Sequence, residues 1–146
     1  MNDDYTARSI LHAIDLAAEW YSPQELAHAA RVAARCSYIG ARWGVWYSDP
    51  EEEILAWLHD LVEGGYPLAK LRESGWFSER VLLGLDAITR REGEQYEPDY
   101  LARVKANPLA AIVKLADLAD NTERVDTLSD SLKGRYERAK AFLTQA

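Results

Sequence analysis

The sequence predicts an all-α fold, a single compact helical bundle of about seven or eight helices over residues 1–146. Three observations predict it. Helix starts of one form recur along the chain. Apolar residues between them fall at helical spacing. Strand signals are absent: no stretch alternates with period two, and no Asn-Gly or Asp-Gly hairpin turn occurs.

Each element has its own signal. A first apolar-periodic segment runs over about 5–20. Ser22-Pro23-Gln24-Glu25 then supplies a capping serine, a proline at the first helical position and a glutamate that can reach back. It opens a helix over about 23–46. Asp49-Pro50 repeats the arrangement, and Glu51 to Glu53 suit the positive end of the helix dipole. That helix is expected over about 50–63, stopped by Gly64-Gly65. A short helix over about 67–74 ends at Gly75, and Ser78 caps one over about 78–91 that carries Val81, Leu82 and Leu85, with Gly93 beyond it. A helix over about 98–106 follows, and Asn107-Pro108 opens another over about 108–122. Ser129 or Asp130 starts the last, about 130–145, where Leu132, Tyr136, Ala139 and Leu143 share a face. Repeats, low-complexity segments and long linkers are absent.

Composition narrows the function. The chain has 146 residues, 48% hydrophobic and 28% charged, which suits one globular domain with its own core. The single cysteine, Cys36, excludes an internal disulfide. The acidic start has no apolar run behind it, and no stretch is long and apolar enough to span a membrane, so a cytoplasmic protein is expected. A net charge of -7 argues against broad nucleic-acid binding, which needs a basic face. It leaves room for a small phosphorylated ligand, which needs only a few cations or a metal. The five tryptophans (Trp20, Trp43, Trp46, Trp57 and Trp76) are expected mostly in the core.

Three segments carry candidate chemistry. His59-Asp60 sits near the end of the apolar run Ile54 to Val62, where two ionisable groups are costly to bury unless paired or bound to metal. The plain alternative is a surface His-Asp pair. In the segment Ala110 to Asn121, Asp117 and Asn121 lie at i and i+4, and Lys114 and Asp117 at i and i+3. The alternative there is a solvated polar face. His28 and Arg31 share a helix face, which on its own is ordinary. Together the three supply two imidazoles and two carboxylates. That nitrogen and oxygen set suits a divalent transition metal such as manganese, iron or zinc, held between packed helices. His12 has no partner of this kind and reads as a surface or packing residue.

His28, His59-Asp60 and Asp117, in that order, resemble the H…HD…D signature of the HD-domain metal-dependent phosphohydrolases. The segment Val113 to Asn121 is similar to that of the branch hydrolysing guanosine tetra- and pentaphosphate, the RelA/SpoT-type hydrolase domains and their small stand-alone relatives. The likeness extends over roughly residues 5–145. It implies an HD-domain bundle with one Mn²⁺ held by His28, His59, Asp60 and Asp117, Fe²⁺, Zn²⁺ or Co²⁺ being alternatives. It implies further that Glu63 orients or deprotonates the attacking water and that Asn121 helps organise the substrate. Arg31 and Lys114 become candidates for phosphate neutralisation. Arg90 is a further candidate, and Tyr96 could stack on a base; a charged helix end is the plainer reading of that cluster.

The chain departs from the branch at two places. Gly64 stands where an aspartate normally follows the glutamate, and Glu19 to Gln24 replace a histidine, a glycine and a basic loop. The expected function is therefore hydrolysis of a nucleotide, with removal of an alarmone 3′-pyrophosphate the nearest resemblance. A 5′-nucleotidase, a deoxynucleoside-triphosphate hydrolase of the same superfamily, or a weakly active nucleotide- or partner-binding module are the alternatives. The expected partner is a small nucleotide, with neither nucleic acid nor membrane, and a homo-oligomer is left open.

Overall fold

The computed structural model describes residues 3–42, 49–124 and 129–145. Among the described residues there are eight α-helices and no strand, as the sequence predicts. They are α1 (Asp3–Trp20), α2 (Pro23–Arg42), α3 (Pro50–Leu58), α4 (Leu68–Ser74), α5 (Glu79–Ile88), α6 (Leu101–Lys105), α7 (Pro108–Arg124) and α8 (Asp130–Thr144). No helix among them is long and apolar enough to cross a membrane.

The caps read from the sequence are formed. Ser22 and Glu25 exchange backbone N–H bonds, the Ser22 N–H donating to Glu25 Oε1 at 3.1 Å and the Glu25 N–H to Ser22 Oγ at 3.2 Å. Asp49, Ser78, Asn107 and Ser129 each accept from a backbone N–H in the first turn of α3, α5, α7 and α8. Gly75 ends α4 at φ 73°, a left-handed conformation that costs glycine little.

Three boundaries differ from expectation. The helix expected to reach residue 63 stops at Leu58. Tighter bonds take over, from the Leu61 N–H to Leu58 O and from the Gly65 N–H to Val62 O, and the His59 ring occupies the carbonyl of Ala56. The helix expected to reach 91 stops at Ile88, because Thr89 is extended and turns its hydroxyl back onto Leu85 O. The helix expected over 98–106 is divided. A wide turn over Tyr96–Tyr100, closed by the Tyr100 N–H on Gln95 O and containing a cis Glu97-Pro98 bond, precedes α6. The end expected for α2 at 46 lies outside the described residues.

Short α3 is the hub. It packs against α1, α2, α5 and α7, and Ile54, Leu55, Ala56 and Leu58 are each at most 2% exposed. Val32 from α2, Leu85 from α5 and Val113 from α7 close around it. Gly84 lets α5 come close: a Cβ there would lie 2.9 Å from Leu55 Cδ2 and 3.3 Å from Leu109 Cδ2. Truncating the hub should be costly. Leu55→Ala is expected to lower the unfolding free energy in a urea titration by about 2–5 kcal/mol. A loss below about 1 kcal/mol would mean that the surroundings collapse into the space and that α3 is not tightly enclosed.

Among the described residues no tryptophan is fully buried, although Trp57 and Trp76 pack against the core. Trp20 is 47% exposed, Trp57 and Trp76 are half-buried, and Trp43 and Trp46 lie outside the described residues. Small residues explain it. Ala13, Ala17, Ala29, Ala110 and Ala116 are fully or almost fully buried and bring the helices too close for an indole between them. His12 is a packing residue, its ring stacked on Trp76 with centroids 3.9 Å apart.

A candidate metal centre

Three elements converge beside the hub. His28 comes from α2, Asp117 from α7, and His59 with Asp60 from the first turn after α3. The early end of α3 matters here. A helix leaves its last carbonyls without partners, and His59 Nδ1 takes one of them, donating to Ala56 O at 2.6 Å. The same bond that closes α3 therefore fixes the ring and leaves Nε2 to face inward.

His59 Nε2 lies 3.2 Å from Asp60 Oδ2 and 3.5 Å from Asp117 Oδ1. It is buried, and among the described residues it has no hydrogen-bond partner. His28 Nε2 lies 2.8 Å from Asp117 Oδ1 and 3.9 Å from Asp60 Oδ2. The other nitrogen of His28, Nδ1, is 2.7 Å from Asp120 Oδ2. One donor atom each from His28, His59 and Asp60 lie within 4.8 Å of one another, so this group could hold a metal ion. Asp117 touches it through both imidazoles. The fit rests on the rings. Each has its outer nitrogen engaged by an acceptor and its inner nitrogen turned to the carboxylates, the arrangement that metal-ligating histidines adopt.

Charge tells the same story. Burial opposes ionisation of Asp117, yet Lys114 and the two imidazoles hold its carboxyl well below the usual range. Burial also opposes protonation of His59, but the Asp60 and Asp117 carboxylates outweigh it and raise its pKa well above the ordinary value. His28 is raised by hydrogen bonds to Asp117 and Asp120 against the same opposition from burial. The two buried carboxylates favour positive charge at the imidazoles. A dication supplies that positive charge directly and needs neutral imidazoles.

The centre opens into a cleft of about 240 Å³, which His59, Asp60 and Asp117 line at one end. Glu63, Arg90, Tyr96, Lys114 and Asn121 also line it, so the cleft gathers five further residues singled out from the sequence. Their settings differ. Glu63 accepts the Arg90 backbone N–H at 2.7 Å. Asn121 Nδ2 donates to Asp117 Oδ1 at 3.2 Å, steadying a carboxylate that faces both imidazoles. Lys114 Nζ donates to Asp117 Oδ2 at 2.9 Å and is committed to that carboxylate. Tyr96 lies under guanidinium groups, with Arg135 3.8 Å and Arg90 5.2 Å from its ring centroid. Cations already use the ring that could have met a base.

No protein-family model matches the sequence, and no curated protein matches it. Geometry therefore carries the assignment of roles.

Arg31 is placed differently from the other candidates. It does not line the cleft; its Nε donates to Asp120 Oδ1 at 2.9 Å, behind His28. Arg135 and Tyr136 of α8 line the cleft, and Asp120 stands behind His28; none of the three was expected at the site from the sequence. Asp120 had a readable signal, since it lies three residues after Asp117 and so beside it on one helix face. Arg135 and Tyr136 had none. The packing of α8 on α6 and α7 brings them to the site.

Proposed function

We propose that this chain is a metal-dependent phosphohydrolase of the HD-domain type that acts on a small phosphorylated nucleotide, with an alarmone 3′-pyrophosphate the nearest substrate chemistry. The convergence of His28 Nε2, His59 Nε2 and Asp60 Oδ2, with Asp117 Oδ1 against both rings, is the observation that carries this reading. Two imidazole nitrogens and two carboxylate oxygens favour Mn²⁺ or Fe²⁺ over ions that prefer all-oxygen or thiolate sites, with Zn²⁺ and Co²⁺ also suited. When bound, such an ion lowers the pKa of a water and polarises a phosphoryl oxygen.

The chain's own residues do the rest. His28, His59, Asp60 and Asp117 would hold the ion, and Asn121 and Lys114 hold Asp117. Glu63, fixed by the Arg90 N–H, stands in the cleft as an acceptor for the proton of the attacking water. The water oxygen bonds to phosphorus, the bond to the leaving oxygen breaks, and the proton taken by Glu63 returns to that oxygen. Arg90 and Arg135 line the same cleft and place positive charge where further phosphate oxygens would lie. Hydrolysis at a 5′-phosphate by the same residues is the second reading, and Gly64 in place of an acid favours weighing it.

Phosphate and pyrophosphate release with Mn²⁺ tests this. The panel holds guanosine tetraphosphate, NADPH, the four deoxynucleoside triphosphates and the nucleoside monophosphates. Metal-dependent release from at least one is expected, and the product shows which phosphate is cut. Bound metal with no release from any of them would favour a binding module instead.

A further inference from the structure

The two imidazoles of the centre are held from behind by different chemistry. His59 gives its outer N–H to a neutral carbonyl, Ala56 O. His28 faces a carboxylate, Asp120 Oδ2, at 2.7 Å. Asp120 is 0% exposed, and a carboxylate buried to that degree survives only with strong partners. Its other oxygen has them: Arg31 Nε at 2.9 Å and Arg35 Nε at 3.4 Å, while Arg35 also reaches Glu123 at 2.6 Å. Both arginines and His28 come from α2, and Asp120 from α7. One buried carboxylate thus fixes the imidazole and is itself fixed by two guanidinium groups.

We propose that Asp120, anchored by Arg31 and Arg35, is a positioning residue for the metal centre that holds His28 in the tautomer with Nε2 free to ligate. Arg31 then serves the metal from behind the site and not the substrate in front of it. The chemistry is that of a carboxylate–histidine–metal chain. The carboxylate accepts the Nδ1 proton, orients the ring and makes Nε2 a better donor, and outer partners of this kind are commonly worth about 10–100-fold in metal affinity. The anchoring arginines keep the carboxylate from rotating away, since its two oxygens are claimed from two sides. His59 needs no such support, because the end of α3 already holds it. This inference rests on the metal-binding reading of the centre and not on any substrate.

Metal affinity tests it without activity. Mn²⁺ is titrated calorimetrically into the wild type, Asp120→Asn and Arg31→Met. Asp120→Asn keeps the size of the side chain but removes the charge, and it is expected to weaken Mn²⁺ by about 10–100-fold. Arg31→Met leaves Asp120 in place and should weaken it less, in the same direction. It also keeps the idea open to refutation if Asp120→Asn fails to fold. Nitrogen-15 spectra of the Zn²⁺-loaded proteins give a second readout, one that a strut between α2 and α7 would not move. The wild type should show His28 protonated at Nδ1 and metal-bound at Nε2, and Asp120→Asn should lose that single state. Unchanged Mn²⁺ affinity in both variants, whatever happens to their melting temperatures, would overturn the proposal and leave Asp120 a structural ion pair. A wild type that takes up neither ion would overturn the metal centre itself, which is a separate result.

Discussion

Asp60→Ala should lose metal binding and hydrolysis together while the fold survives. The Asp60 side chain is 39% exposed, so its removal leaves no closed cavity in the core. Its carboxylate nonetheless faces both Nε2 atoms, at 3.2 Å from His59 and 3.9 Å from His28. Removing a ligand should cost more than the ~10–100-fold typical of an outer partner, so Mn²⁺ affinity is expected to fall by more than that. Phosphate release should drop to the background of the metal-free protein. Asp117→Ala is a less clean probe. It would leave Lys114 buried beside a missing partner, and breaking such a pair commonly costs about 3–5 kcal/mol of stability. Full Mn²⁺ occupancy in Asp60→Ala, measured by elemental analysis after dialysis, would contradict the ligand assignment.

Glu63→Gln should show the opposite division. Glu63 is not among the converging donor atoms, so Mn²⁺ affinity should stay close to that of the wild type. The glutamine carbonyl can still accept the Arg90 N–H, which keeps the side chain in place. What it cannot do is take a proton. The loss of a general base is worth about 10²–10⁴-fold, and kcat should fall on that scale with KM little changed. Turnover equal to the wild type would remove Glu63 from the mechanism. A parallel loss of metal would make it a ligand.

Much of the architecture was legible because helix punctuation is strong in this chain. Ser22, Asp49, Ser78 and Asn107 each cap the helix that their sequence context announces. What failed was local competition at helix ends. The apolar run through Leu58 to Val62 looks like one helix, but the His59 ring and tight turn bonds end it early. That departure helps build the centre, since it turns His59 Nε2 inward. His28, His59 and Asp60, singled out in the sequence, come together as a group that could hold a metal ion, and Asp117 lies against both rings. Arg31 meets Asp120 in the structure. Spacing placed it beside His28 but could not say whether substrate or a buried carboxylate would meet it. Arg135 and Tyr136 depend on how α8 lies on α6 and α7, long-range contacts that no local pattern encodes.

The metal centre is the claim on which the rest depends, and Mn²⁺ itself reports on it most directly. The measurement is an electron spin resonance titration of the purified protein with Mn²⁺, followed by electron spin echo modulation of the bound ion. The proposed centre predicts one tightly bound ion per chain, with modulation from the nitrogens of two imidazoles, lost in Asp60→Ala. Mn²⁺ that stays free in solution, or that binds with no nitrogen coupling, would contradict a centre built on His28 and His59.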